Sequence, residues 1–361
     1  MEERRVLLGM SGGVDSSGAA VLLQRAGYQV TGCMLRLYDN EALGLERGST
    51  CCSLEDVEDA RAVADKLHMD FFRFNFSGAF RRYVMEPFVA DYAAGLTPNP
   101  CIACNRSVKF AALWQRAREL DIPYIATGHY ARVRRDAESG RFQLLRGADL
   151  GKDQSYFLYP LSQEILSHLL LPLGEYEKEQ VRGIAEEAGL CNARRPDSQD
   201  ICFVPDGDYV SFLTRFGGLN PESGDFVDRS GHVLGRHRGL IAYTKGQRRG
   251  LGVSADRPLY VVEKDAVRNQ VVLGDNGDLF STVLTAHTFN WVSIPCPNGP
   301  VPATAKIRNG RREAAAEALP LPDGTVRVQF AQPQRAVTPG QSVVLYQGDM
   351  VLGGGVIASA E

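Results

Sequence analysis

Gly9-Met10-Ser11-Gly12-Gly13-Val14-Asp15-Ser16-Ser17 separates the apolar run Val6-Leu7-Leu8 from a stretch, Gly18 to Gly27, whose apolar residues recur at helical spacing. Strand, glycine loop and helix in that order make a phosphate cradle. Adjacent glycines let the backbone approach an anion with no Cβ in the way. Ser11, Ser16 and Ser17 offer hydroxyl donors, and the helix N-terminus presents unpaired N–H groups. An ordinary strand-to-helix turn uses the same residue types, since Ser, Gly and Asp are turn and cap formers. The compound pattern directly after the first strand favours the nucleotide. The loop has neither the Gly-Lys-Ser/Thr ending of a Walker loop nor the Gly-x-Gly-x-x-Gly of a dinucleotide fold.

Outward from this loop, apolar strand patterns at Gln29 to Leu37, Met69 to Phe76 and Ile122 to Thr127 alternate with helical patterns at Asp56 to Leu67 and Val108 to Leu120. Alternation of this kind implies crossover connections and an α/β fold with a parallel sheet covered on both faces. Ligands in such sheets sit beyond the carboxyl ends of the strands. That rule gathers Gly9 to Ser17, Leu35 and Gly128-His129 around one site. A hairpin follows, Ala131 to Val133 with Phe142 to Leu145, then the polar run Lys152-Asp153-Gln154, which reads as a binding loop or as a helix start capped by Asp153. From about Asp206 the texture shifts to glycine, proline and short β patterns. Domains are expected at 1–205, 206–277 and 278–361: the nucleotide domain, a small central domain, and a C-terminal β-barrel of short strands punctuated by Pro320, Pro322, Pro333 and Pro339.

Composition narrows the class. The 361 residues are 44% hydrophobic and 23% charged, with no apolar run near the roughly 20 residues of a membrane helix. The charged start, Met1 to Arg5, resembles no signal or transit peptide, so a cytoplasmic protein without membrane partners is expected. A net charge of −3 does not advertise a nucleic-acid binder, but Arg229, Arg236, Arg238, Lys245, Arg248 and Arg249 form a basic stripe free of acidic residues. Such a stripe suits phosphate backbones.

Eight cysteines in a reducing compartment argue for chemistry or metal where they cluster rather than for disulfides. Cys101 and Cys104 form a Cys-x-x-Cys behind Thr97-Pro98-Asn99-Pro100, two prolines that force a rigid entry just before the Val108 helix. A helix N-terminus favours thiolate. Cys202 emerges from the polar loop Pro196 to Asp200 into what reads as an apolar strand start. Cys51-Cys52 reads as incidental, and Cys33, Cys191 and Cys296 carry no partner pattern.

The glycine loop resembles the PP-loop of the ATP pyrophosphatase superfamily (adenine nucleotide alpha hydrolase-like fold), whose members split ATP into AMP and pyrophosphate to activate a carbonyl or carboxylate oxygen. With Thr97 to Pro100, Cys104-Asn105, Ala126-Thr127-Gly128-His129-Tyr130, Lys152 to Phe157, Ile201-Cys202-Phe203, Gly246 to Gly252, Ala336 to Gln341 and Leu352 to Gly355, nearly the whole chain resembles the bacterial-type tRNA-specific 2-thiouridylases. The resemblance implies ATP-dependent replacement of O2 by sulfur in the wobble uridine of Lys, Glu and Gln tRNAs, through an adenylated base. A cysteine desulfurase or sulfur-relay protein would supply the sulfur. It places ATP, with Mg²⁺, on Gly9, Met10, Ser11, Gly12, Gly13, Val14, Asp15, Ser16, Leu35 and Gly128, with Asp15 a candidate ligand of the ion. The target base falls on Asn99, Pro100 and Cys101, and tRNA contacts fall on His129, Lys152, Asp153, Gln154, Arg308, Asn309 and Gln341, beside Arg248 and Arg249 of the stripe.

Catalysis falls on Cys104 and Cys202. Two departures stand out: much of the family has aspartate where this chain has Cys101, and commonly tyrosine where it has Asn309. Two sulfur routes stay open, a persulfide on Cys202 released with the help of Cys104, or a 4Fe-4S cluster on Cys101, Cys104 and Cys202. The cysteine at 101 favours the cluster, because the persulfide scheme has no need of a third thiol. Structural zinc on the same residues is a third use. A small-molecule synthetase would explain the loop but not the thiols. A zinc-stabilised RNA-binding module would explain the barrel but not the loop.

Overall fold

The computed structural model describes residues 4–38, 54–196, 201–204, 206–310 and 312–361. Cys51, Cys52 and residues 197–200 lie outside them. The chain opens as β1 (Arg5–Gly9), α1 (Val14–Arg25), β2 (Gln29–Arg36), α2 (Leu54–Lys66) and β3 (Phe71–Asn75). Next come α3 (Ser77–Phe80), a π-helical turn, α4 (Glu86–Ala93), α5 (Pro100–Cys104), a second π-helical turn and α6 (Phe110–Glu119). β4 (Tyr124–Thr127), the hairpin β5 (Ala131–Arg135) and β6 (Phe142–Arg146), α7 (Gln163–His168), β7 (Leu169–Leu170) and α8 (Lys178–Glu187) complete this part.

The first sheet has the order β3-β2-β1-β4-β7 and its pairings are parallel. Alternation along β1 explains its two cores: Val6 and Leu8 join one apolar layer with α1 and α8, while Leu7 joins the other with α6. Gly9 pairs with Cys33 on one side and Thr127 on the other, so the glycine loop, the end of β2 and Gly128 leave the sheet at the same edge.

The Val108 helix begins earlier than its apolar spacing suggests. Asn99 is its N-cap, with Oδ1 accepting the Cys101 N–H at 3.2 Å, and Pro100 is the first residue of α5. Proline's fixed φ and missing N–H suit that position. Cys101 and Cys104 therefore lie in the first turn of the helical run, not before it.

After α9 (Tyr209–Gly217), a second sheet holds β8 (Gly224–Val227), β9 (Val233–His237), β10 (Tyr260–Asp265) and β11 (Gln270–Gly274) in the order β10-β11-β8-β9, around Phe226, Tyr243 and Val261. The barrel is built from β12 (Phe280–Asn290), β13 (Val301–Lys306), β14 (Ala314–Pro320), β15 (Val326–Arg335), β16 (Ser342–Gln347) and β17 (Met350–Ala360). Their order β12-β15-β14-β13-β16-β17 closes through β12–β17 pairing. The hairpin joins this sheet rather than the parallel one: Leu145 pairs with Met350, and the Tyr156 hydroxyl donates to Ser342 O at 2.9 Å. No helix among the described residues is long and apolar enough to cross a membrane.

Candidate active site

The glycine loop is held from behind. Ser16 Oγ accepts the Ser11 N–H at 3.2 Å and donates to Gly13 O at 2.9 Å, and Ser17 Oγ donates to the same carbonyl at 3.2 Å. Two of the three hydroxyls expected to face an anion thus bind the loop's own backbone, which leaves Ser11 as the exposed one. Gly12 has φ +79°, and a Cβ there would lie 2.6 Å from Asp56 O, so the loop passes directly over the start of α2. Asn192, 3% exposed, donates to Gly12 O at 2.6 Å and to Ser17 Oγ at 2.9 Å. Arg195 bonds Asp56 at 2.8 Å and also pairs with Asp59. Asn192 is therefore tied to the glycine loop, and Arg195 to the start of α2 beneath it.

Gly128 abuts α1: a Cβ there would sit 2.8 Å from both Asp15 C and Ser16 N. Leu35, at the β2 end, is half-buried against the α6 layer. Asp15 has two partners on one oxygen, Lys178 Nζ and the Tyr130 hydroxyl, each donating to Oδ1 at 2.7 Å. Its side chain is 35% exposed. Tyr130 closes the Ala126 to Tyr130 motif but takes no role from it, and Lys178, Asn192 and Arg195 carry no sequence signal, since each sits in an ordinary helix start or loop.

Cys104 is buried in an apolar cluster with Phe80, Phe88 and Phe203, and Cys202 packs against the same cluster, half-buried. Cys202 stands in a turn, with Val204 N–H donating to Ile201 O at 2.8 Å, where a strand start was expected. Phe203 explains the difference: its ring is held by Phe88 at 5.4 Å and Phe212 at 5.1 Å, a helical cluster rather than a sheet. Cys101 is exposed. Among the described residues no group of three His, Cys, Asp or Glu side chains is arranged to hold a metal ion. Cys101, Cys104 and Cys202, the residues expected to carry a cluster or zinc, form no such group in this arrangement. Cys101 and Cys104 share one helical turn but differ in burial: Cys104 is covered by the aromatic cluster, and Cys101, at the open start of the helix, is not.

Expected tRNA contacts fall into two sets. Lys152, Arg248, Arg249 and Asn309 are exposed. The others are engaged within the protein. Asp153 Oδ1 accepts the N–H groups of Gly147 at 3.2 Å and Ser155 at 3.0 Å, and Gln154 Oε1 accepts the Tyr130 N–H at 3.0 Å. Burial and the neighbouring Lys109 ammonium hold the His129 imidazole well below the usual histidine range, with Nδ1 2.7 Å from Thr127 Oγ1. Arg308 donates to Ala336 O at 2.9 Å. Gln341 Nε2 donates to Thr97 O at 2.7 Å, docking the barrel on the stretch that enters α5. The basic stripe is partly neutralised by the fold, since Arg229 pairs with Asp278 and Arg236 with Asp225.

Comparison with known proteins agrees with this architecture part by part. Residues 4–206 match the family model described as a tRNA methyl transferase HUP domain, 211–275 the tRNA methyl transferase PRC-barrel domain, and 281–357 the aminomethyltransferase beta-barrel domain. The tRNA-specific 2-thiouridylase MnmA of Acetivibrio thermocellus is 49% identical over 360 residues, covering 99% of this chain and 100% of that protein. Its namesake from Moorella thermoacetica is 50% identical over 356 residues, covering 98% and 99%. That from Clostridioides difficile is 45% identical over 355 residues, covering 98% of each. With a parallel-sheet nucleotide domain, a PRC-barrel and a closed six-stranded barrel in the same order, and identity of this level from end to end, the chain belongs to the family of tRNA-specific 2-thiouridylases.

Proposed function

We propose that the protein is a tRNA-uridine 2-sulfurtransferase that thiolates the wobble uridine and converts ATP to AMP and pyrophosphate. The observation that carries the sulfur chemistry is the packing of Cys104 and Cys202 on one apolar cluster. The uracil C2 carbonyl has no leaving group. Its O2 therefore attacks the ATP α-phosphorus, releasing pyrophosphate and leaving an adenylated base. The terminal sulfur of a Cys202 persulfide then attacks C2, and AMP departs with O2. Cys104 thiolate attacks Cys202 Sγ, freeing the thiolated base and leaving a Cys104–Cys202 disulfide that a thiol reductant must reopen.

In this reading ATP lies on Gly9 to Ser16, Leu35 and Gly128, and the target base on Asn99, Pro100 and Cys101. Exposed Lys152, Arg248, Arg249 and Asn309 meet tRNA phosphates and sugars. The Asp15 carboxylate, 35% exposed, is a fitting oxygen donor for Mg²⁺, which would shield the pyrophosphate charge. No step passes through an iron–sulfur cluster. The division at about 205 and 277, the cytoplasmic setting, the Lys, Glu and Gln tRNAs and a desulfurase or relay donor belong to the same reading.

The test is thiolation of a tRNA transcript by protein purified without oxygen, with ATP and a persulfide donor, alongside iron and acid-labile sulfide content. Activity in iron-free protein, lost in Cys104→Ser and in Cys202→Ser, is the expected result. About four irons per chain tracking activity would overturn the persulfide route in favour of a cluster.

A further inference from the structure

The glycine loop contains no lysine, yet a lysine reaches it from 163 residues further along the chain. Lys178 Nζ lies 2.7 Å from Asp15 Oδ1, with its side chain 6% exposed. Its place is built rather than incidental. Gly18 of α1 meets Val181 of α8 so closely that a Cβ at 18 would lie 2.6 Å from Val181 Cγ1. One turn earlier in each helix, on the same faces, stand Asp15 and Lys178. The start of α8 is secured by a capping box between Glu177 and Gln180, and by the Lys178 N–H bond to Asp149 Oδ2 at 3.1 Å. The Tyr130 ring centroid is 5.9 Å from the ammonium, while its hydroxyl shares Asp15 Oδ1.

A buried ammonium is costly to desolvate and is rarely the most stabilising choice for a core. Its location indicates its use. Asp15 sits in the first turn of the helix whose N-terminus must attract a triphosphate, and an uncompensated carboxylate there would repel it. We propose that Lys178 is a positioning residue of the nucleotide site: its ammonium cancels the Asp15 charge and, with Tyr130, pins the carboxylate through Oδ1. The proposal rests on the reading that this loop binds ATP.

The test is a double-mutant cycle on ATP affinity, measured by equilibrium dialysis of the full chain in EDTA so that metal binding by Asp15 does not enter. Lys178→Gln should weaken ATP binding about tenfold, as one unbalanced charge near a polyanion requires. Asp15→Asn completes the cycle, and the double variant, whose pair is again neutral, should bind within about threefold of the parent. Equal loss in Lys178→Gln and the double variant would show that the ammonium acts on the phosphates directly and would overturn the proposal. No loss in Lys178→Gln would overturn it too. Should the single variant fail to fold, the double variant against the parent decides: parent-like affinity supports compensation, and about tenfold loss refutes it. A parent that binds no ATP removes the functional reading itself, a result distinct from a binding parent with insensitive variants.

Discussion

Gly340→Ala tests whether the barrel holds the entry to the Cys101–Cys104 turn. Gly340 has φ +88°, and a Cβ there would stand 2.8 Å from Thr97 N and 3.1 Å from both Leu96 Cβ and Thr97 C. On either side, Pro339 O accepts the Thr97 N–H at 3.1 Å and Gln341 Nε2 donates to Thr97 O at 2.7 Å. Alanine in the left-handed region costs about 1–2 kcal/mol. The overlap is with backbone, which cannot rotate aside, and overpacking of that kind costs about 1–3 kcal/mol. The turn relieves part of the overlap by withdrawing, at the loss of two hydrogen bonds of about 1 kcal/mol each. A net destabilisation of about 2–4 kcal/mol follows from these alternatives, read as a shifted urea midpoint. Withdrawal also frees Thr97-Pro98, three residues before Pro100, so single-turnover thiolation should fall at least about tenfold, equivalent to about 1.4 kcal/mol in the barrier. ATP affinity should stay within about twofold, because the glycine loop touches none of these residues. A Gly340→Ala protein with the parent's midpoint and thiolation rate would refute the bracket.

Further outcomes are expected elsewhere. Lys264 Nζ is buried with no hydrogen-bond partner among the described residues, and burial pushes it down to about 8. Below that value the folded state carries a penalised charge that the unfolded state does not, so stability rises as pH climbs from about 8 toward the usual lysine range. Lys264→Met should therefore raise the melting temperature at neutral pH, with a gain that shrinks above pH 8; a constant gain would contradict this. Replacing Arg248 and Arg249 together by alanine should weaken tRNA binding and reduce its log–log salt slope by about 2, whereas an unchanged slope would make them a solvated face. Cys33, fully buried and with its thiol pushed up by burial, should resist iodoacetamide in the native protein while exposed Cys101 reacts; fast labelling of Cys33 would count against the core packing of β2. Cys101→Asp should retain partial thiolation, since a persulfide on Cys202 does not require the exposed thiol.

How far the chain could be read locally is clear from particular elements. β1, the glycine loop and α1 are contiguous and declare themselves by period and by glycine. The barrel strands are set off by turns at Gly324, Gly340 and Gly348, but two of the prolines read as punctuation lie within strands, Pro320 at the end of β14 and Pro333 inside β15. The apolar period begins only at Val108, whereas the helix starts where Asn99 caps it and Pro100 fits its first turn. The strand expected at Cys202 was misjudged because a short apolar run does not reveal whether its aromatic residue enters a sheet or, as Phe203 does, a helical cluster.

By itself the sequence determined the order of strands and helices, the position of the phosphate loop and the family, because periodicity, turn chemistry and motif order are properties of neighbouring residues. The strand-end rule already gathered Leu35 and Gly128 to the loop, but only the tertiary structure decided which groups from outside the strand ends join them. The Lys178–Asp15 pair closes over 163 residues, Asn192 to Gly12 over 180, and Gln341 to Thr97 over 244. Nothing in the local pattern distinguishes Lys178 or Asn192 from an ordinary helix start or loop asparagine, and the motif that contains Gln341 pointed to tRNA, not to Thr97. Their meeting follows from helix packing at Gly18 and from barrel docking at Gly340, close approaches that depend on the absence of a side chain and become visible only when both partners are in place.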